Sequence, residues 1–398
     1  MDQLQMHSRH SGSGFSKPGP LRRFRLWLGP APAAQLAVLL ALGTVLWYFG
    51  DNIVATMHRL GIEPGFAFLS QRASFEIGES LIAYSSSDSY GRALLTGLVN
   101  TIYVAFVGCI IATVLGTALG VAQMSRNLVL TSAVRFYVEI FRNTPLLLQL
   151  FLWSAIFHNL PAARRATEIA GAYLSNRGVY IPKLVLVGNT PAVSIGLALL
   201  CGLVVVAILR RLLLGRPFYA TQIGVVAVIA AAATFWLTGG SVDLDLPIKG
   251  GFNISGGLSL SPEFAGLLAG LVFNSAATIA EIVRGGIQSV QGGQWEAARS
   301  LGLRPGHIMR LIVLPQALRV ITPLMTSSYL DLTKNSSLAV AIGYPDLVNV
   351  GNTTANTTGQ TLEAIAIIAG AYLTLNLIVS LGMNLFNRRV TQTGSQRQ

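Results

Sequence analysis

The sequence predicts an all-α membrane protein, a polytopic bundle of eight transmembrane helices, and three observations carry that expectation. Hydrophobic residues fill 52% of the 398 positions. Charged residues fill only 11%, against about one quarter in soluble domains, too few for a surface that faces water on all sides. The charges also cluster, leaving long uncharged windows between them. A helix needs roughly 20 apolar residues to cross the hydrocarbon core. Seven charge-free windows dense in Leu, Val, Ile, Ala and Phe serve as spans: 26–50, 93–125, 143–163, 184–209, 217–242, 264–280 and 364–387. An eighth segment, 321–342, is interrupted only by Asp331 and Lys334. The apolar content excludes disorder.

In chain order, the tail 1–25 carries Arg9, Lys17, Arg22, Arg23 and Arg25, which the positive-inside rule places in the cytoplasm. The first span is longer than a signal-peptide core and has Pro30 and Pro32 at its entry, so it reads as a retained helix. Segment 51–92 holds five acids against three Arg and falls outside. In the second span Gly108, Ala112, Gly116 and Gly120 recur every four residues, a spacing that lets helices approach closely. The loop 161–183 should be external yet carries Arg164, Arg165, Arg177 and Lys183, the one exception to the alternation. Arg210, Arg211 and Arg216 follow the fourth span on the inside, as do Arg388, Arg389 and Arg397 after the eighth.

This sorting explains the net charge of +12. Inside segments (1–25, 126–142, 210–216, 281–319, 388–398) hold 19 basic and 4 acidic residues, and outside segments hold 8 and 11. A basic balance that could suggest nucleic acid is therefore a topology signal, and no nucleic-acid partner is expected. Cys109 and Cys201 lie in apolar spans as packing residues. The five His show no metal-ligand spacing. The N-x-[ST] patterns at Asn253, Asn335, Asn352 and Asn356 read as chance matches in a Ser/Thr-rich chain. There is no G-x-x-x-x-G-K-[ST] phosphate loop, nucleophile elbow or catalytic dyad. The chain is thus read as no enzyme, without a cofactor of its own.

Three acid–base pairs stand at i, i+3 spacing at or within the spans: Glu139–Arg142, Glu281–Arg284 and Asp331–Lys334. On a helix such partners share one side and can neutralise each other. Glu139–Arg142 and Glu281–Arg284 lie near cytoplasmic ends, where snorkelling to water favours structural anchoring. Asp331 and Lys334 lie deeper and are followed by Asn335, Ser336 and Ser337. Intramembrane charge points to function, and this cluster offers complementary charges to a zwitterion. Substrate-pathway lining and helix–helix attachment both remain open for it.

The most informative stretch is 296–315, EAARSLGLRPGHIMRLIVLP. It reads as two short helices against a membrane surface. Trp295, Ala298 and Leu301 form one apolar face, Gly302 ends the first helix, and Pro305–Gly306 turn the chain. Ile308, Leu311 and Ile312 form the second face before Pro315. Such a loop suits docking into a groove on another protein.

The segment resembles the EAA loop of bacterial ABC importer permeases, which runs E-A-A, three residues, G, nine residues, I, one residue, L-P. Glu296, Ala297, Ala298, Gly302, Ile312, Leu314 and Pro315 fill every fixed position. YVEIFRNTPLLLQLFLW (137–153), AEIVRGGIQSVQGGQWEAA (280–298) and LTKNSSLAVAIGYPDLV (332–348) are similar to the polar and general L-amino acid branch of that family. Homologous-looking sequence covers 97–123, 135–157 and 258–387.

The resemblance implies a type I ABC importer permease-like core at 94–387, built on spans two, three, six, seven and eight. A helical hairpin is inserted at about 160–257, and the EAA loop region runs from 284 to 320. Residues 1–93 then form a tail, first helix and periplasmic loop, and 388–398 a cytoplasmic tail. The family implies an inner-membrane chain that translocates L-amino acids. Its partners would be an ABC ATP-binding subunit dimer holding ATP and magnesium, a periplasmic amino-acid-binding protein and a second homologous permease chain, with a heteromer favoured. In that family the loop is the coupling helix seated in the ATPase. The rivals are an ion-gradient-driven secondary carrier, which would show repeated halves that are not evident here, and a gated channel.

Overall fold

The computed structural model describes residues 32–59, 61, 65–187 and 241–395. The chain forms two units, Met1–Gly65 and Phe66–Gln398. The first contributes helix α1 (Pro32–Arg59). Leu36, Val38, Leu39, Leu46 and Trp47 on it are each more than half exposed within this chain, as expected of a helix whose solvent is lipid.

The second unit is mostly helical. Its long elements are α2 (Tyr90–Ala122), α3 (Leu128–Asn143), α4 (Leu146–His158) and α5 (Pro262–Gln288). After α6 (Gly292–Ser300) come α7 (Leu314–Asn335), α8 (Leu347–Thr358) and α9 (Thr361–Ser395). Among the described residues five helices are long and apolar enough to cross a membrane, or six if the bent pair α3–α4 is taken as one span. The predicted fourth and fifth spans fall largely on 188–240, outside the described residues. Their ends are not helical where described: 184–187 and 241–242 belong to paired strands.

The expectation of an all-α chain is corrected by short strands between α4 and α5. β1 (Thr167–Ile169), β2 (Ala172–Ser175) and β3 (Gly178–Ile181) form an antiparallel meander. β4 (Lys183–Val187) pairs with β5 (Ser241–Asp245), and β6 (Ile248–Lys249) pairs with β7 (Ile254–Ser255). β8 (Leu258–Leu260) joins β3, with Val179 opposite Leu260. Counting apolar residues does not separate a strand from a helix. The turn residues Asn176, Gly178, Gly250, Gly251, Gly256 and Gly257 break this region into pieces too short for helices. Ser261 then caps α5 by accepting the Phe264 N–H at 3.0 Å.

α5 is the central element and packs on α2, α3, α4 and α7. Small residues bring α2 against it. A Cβ on Gly116 would lie 2.7 Å from Ile279 Cβ, and one on Gly120 would lie 2.7 Å from the Ala280 carbonyl. Ala112 is fully buried, so the four-residue spacing is used for close packing as expected. The two helices run parallel: Tyr103 stacks on Phe264 near one end, and Gly120 meets Val283 near the other.

The third span differs from the single helix expected at 143–163. α3 and α4 bend by 107° at the Thr144–Pro145 break. Proline disfavours a helical residue before it and cannot donate to the ladder. α3 packs beside Ala277 and Ala280 of α5, whereas Ser154 of α4 abuts Gly266 and His158 reaches Glu263 at 3.2 Å. The pair therefore touches α5 near both of its ends, about 30 Å apart at 1.5 Å per residue. Residues 346–363, between the predicted seventh and eighth spans, include α8, which packs on α2 and α9.

Candidate functional site

The 296–315 loop grows directly out of α5. Val290 is buried immediately before α6. From α6 Ala298 turns inward, 1% exposed, into a cluster with Ile287, Val290, Ile308, Val313 and Ala317. Trp295, Leu303, Met309 and Ile312 pack against that cluster. Glu296, Ala297 and Arg299 are exposed on the opposite side of α6. One side of the short helix is thus tied to the bundle and the other is left open.

Gly302 ends this helix in the left-handed region, at φ 72°. Its N–H donates to the Arg299 carbonyl at 2.9 Å, and the Leu303 N–H donates to the Ala298 carbonyl at 3.2 Å. These two bonds close a Schellman turn, which glycine adopts at the lowest conformational cost. Nothing lies within 4 Å of a Cβ placed there. The glycine is therefore required by backbone conformation and not by crowding.

Two details of the expected apolar faces are corrected. Leu301 is 78% exposed. Each three-residue step falls about 60° short of a full turn, so Leu301 has rotated away from Trp295. Leu303, brought back by the Gly302 turn, packs in its place. On the second face Leu311 is 60% exposed, while Val313 is fully buried. After a single turn at Pro305–Ile308, Met309–Val313 is π-helical. A wider turn sets Val313, five residues on, beneath Ile308. The widening also fits Pro315, which has no N–H to give the preceding turn. Gln316 Nε2 donates to the Ile312 carbonyl at 2.9 Å. Leu314 is 39% exposed, and Pro315 is exposed beside it.

Of the three i, i+3 pairs, Glu281–Arg284 closes as an ion pair at 2.6 Å. Arg284 Nη1 also reaches Gln288 Oε1 at 2.7 Å. Glu139 and Arg142 are exposed and form no ion pair among the described residues, and the same holds for Asp331 and Lys334. α3 and α5 bring the first two pairs together around one cavity of about 340 Å³. The 331–337 cluster is split. Asp331 and Lys334 face out of the chain, Asn335 and Ser337 are half-buried, and Ser336 is 1% exposed. Ser336 Oγ donates to the Thr333 carbonyl at 2.8 Å and Ser337 Oγ to the Lys334 carbonyl at 2.7 Å.

Sequence reasoning missed a buried polar junction at the other end. Asn100 Nδ2 donates to the carbonyls of Glu79 (2.8 Å) and Pro345 (2.9 Å). Thr101 Oγ1 accepts the Leu347 N–H at 3.0 Å. Asp346 Oδ1 accepts the Asn349 N–H at 2.8 Å, and the Tyr372 hydroxyl donates to Oδ2 at 3.3 Å. Burial pushes the Asp346 carboxyl up to about 6. Burial also raises that of Glu79, against the bond it accepts from Ser261. Glu76, Glu79 and Glu263 line a neighbouring cavity of about 360 Å³. The only local signal was Asp346 as a capping residue ahead of an apolar pair.

Comparisons with known proteins agree with this architecture. The chain is 41% identical over 365 residues to the general L-amino acid transport system permease protein AapQ of Rhizobium johnstonii, covering 89% of this chain and 91% of that protein. It is 43% identical over 363 residues to the putative amino-acid ABC transporter permease protein YhdX of Escherichia coli, covering 89% and 92%. It is 37% identical to the glutamate/glutamine/aspartate/asparagine transport system permease protein BztB of Rhodobacter capsulatus, again covering 89% and 92%. Residues 112–392, from within α2 to within α9, match the family described as binding-protein-dependent transport system inner membrane component. A multi-pass membrane chain with these relatives belongs to that family of importer permeases.

Proposed function

We propose that the chain is one of two homologous permease subunits of an inner-membrane importer for L-amino acids, driven by ATP hydrolysis on a separate ATP-binding subunit. Its substrate class follows the names of relatives that it matches over nine-tenths of their length. α6 and the turn after it enter a cleft of that subunit, which carries the ATP and magnesium. The loop geometry supports this reading above all: Ala298 and Val313 fix it to the bundle, while Glu296, Ala297 and Arg299 stay free to dock. A helix anchored on one side transmits a push to α5 and α7 rather than swinging away from it. Ile312, Leu314 and Pro315 return that push to the membrane.

Both termini face the cytoplasm, and eight crossings make up the topology. A periplasmic binding protein delivers the amino acid to the opposite end. A second permease, different in sequence, covers the outer face of α7, so that Asp331 and Lys334 line the path between the two chains with Asn335, Ser336 and Ser337 behind them. Their exposure on this chain alone supports that placement. An ion-gradient carrier would have no use for a loop of this form.

Gly302→Asp tests the loop. The variant forces a side chain into the left-handed turn at a cost of about 1–2 kcal/mol and adds a charge at the docking surface. We expect normal insertion in the membrane, at least a tenfold loss of uptake in reconstituted vesicles, and ATP hydrolysis no longer stimulated by the loaded binding protein. Unchanged uptake would remove the coupling role. Uptake by the wild-type chain without any ATP-binding subunit would restore the carrier reading.

A further inference from the structure

The cavity shared by α3 and α5 holds more chemistry than its own side chains consume. It lies at the loop end of the bundle, where Glu281 and Arg284 stand in the last two turns of α5 and Gln123 follows α2. Glu281 and Arg284 satisfy each other, and Gln288 takes a further guanidinium N–H. Arg135 and Arg142 stay exposed, without an ion pair, and so does Glu139. Gln123 is 4% exposed; its amide NH2 lies against the Glu281 carboxylate, and its oxygen has no hydrogen-bond donor among the described residues. A buried amide oxygen left without a donor is rare in a native structure and implies a missing partner.

The open set is two guanidinium groups, one carboxylate and one amide oxygen. A simple anion would suit the arginines but oppose Glu139, and a simple cation would do the reverse. The complement is a ligand with an oxyanion and a primary ammonium a few bonds apart. Its surroundings point to a source. On the side of α3 turned away from the bundle, Val129 (78%), Phe136 (66%) and Ile140 (43%) form one exposed apolar stripe beside the arginines. An amphipathic helix of this kind lies along the acyl-chain boundary, and basic pockets between transmembrane helices take lipid headgroups.

We propose that this cavity binds the headgroup of an aminophospholipid. The phosphate meets Arg135 and Arg142, guanidinium–phosphate pairs being among the stronger polar contacts. The ammonium meets Glu139 and the Gln123 amide oxygen, and the acyl chains follow the Val129–Phe136–Ile140 stripe. An occupied cavity ties α3 to α5 just before the chain enters α6. A free amino acid carries the same pair of charges and is the other source of this chemistry.

The test uses the assembled transporter, purified from membranes of phosphatidylethanolamine and phosphatidylglycerol. Retained lipid is quantified after detergent exchange, and L-glutamine is titrated into the delipidated complex. We expect about one phosphatidylethanolamine per permease chain, and at least a tenfold loss in the Arg135→Gln/Arg142→Gln variant. Glu139→Gln, an exposed change that leaves folding undisturbed, should retain phosphatidylglycerol as readily as phosphatidylethanolamine. Co-purification of the ATP-binding subunit verifies that each variant assembles. Lipid retention unchanged in both variants overturns the proposal. L-glutamine binding that is lost in the double variant, without retained lipid, overturns the lipid source and assigns the same groups to a free amino acid.

Discussion

Asp346 caps α8 through the Asn349 N–H, receives the Tyr372 hydroxyl from α9 and adjoins the Leu347 N–H held by Thr101 of α2. Three elements thus meet on a carboxylate that is 1% exposed. Because burial lifts its folded-state pKa to about 6, from about 3.9 in an unfolded chain, the native state binds the proton more tightly. Stability from this group is full below the unfolded value and is lost as pH rises to about 6. The loss is of order 3 kcal/mol at 1.36 kcal/mol per unit. Asp346→Asn keeps a good capping residue and removes the titration. Its melting temperature should fall less than that of the wild type between pH 4 and pH 7, and equal falls would refute the assignment. The sequence showed an Asp in a turn but not its burial, since the partners Thr101 and Tyr372 lie 245 positions upstream and 26 downstream. Gly302 was readable because a Schellman turn is local. Leu301 was misplaced because the same turn substitutes Leu303 for it.

At the scale of elements, the α3–α4 break shows how a membrane helix survives interruption. Breaking the ladder frees carbonyls that have no water to turn to. Here side chains supply the donors. Gln149 Nε2, 3% exposed, bonds to the carbonyls of Phe141 at 2.8 Å and Thr144 at 2.9 Å. Asn274 of α5 reaches the Phe141 carbonyl at 3.0 Å, and Thr144 Oγ1 returns to Ile140 at 2.8 Å. The uncharged window 143–163 contains the apolar helix α4, but charge counting is blind to such an internal bend. Pro145 and the polar Asn143–Thr144 pair were its sequence trace. Gln149→Leu should leave the Thr144 carbonyl without this donor and weaken the chain by about 1–3 kcal/mol. The check is thermal unfolding of the purified complex in detergent, where a melting temperature equal to wild type would show that the break needs no such support.

For the whole molecule, parity constrains what the span count left open. α2 and α5 run parallel against each other, so the chain between them must recross the membrane an odd number of times. Taken as one broken span, α3–α4 supplies one crossing. Val187 and Ser241 face each other in the β4–β5 pair, so these two positions lie together on one side. The adverse charges of 161–183 find a structural setting here: Arg164, which opposed the charge rule, lies over the Phe252 ring at 4.9 Å in the strand region. Folded loops of this kind weaken the bias, which is a rule for short unstructured connections. If the alternation is right, Ser87 before α2 and Ser300 after α5 lie on opposite sides of the membrane. Both are exposed. With Cys109 and Cys201 replaced by alanine, Ser87→Cys should react with a membrane-impermeant maleimide on intact cells. Ser300→Cys should react only in inverted vesicles, and there be shielded once the ATP-binding subunit is bound. Labelling of both sites from one side would break the orientation and the docking face together. Opposite labelling without shielding would keep the orientation and leave α6 without its partner.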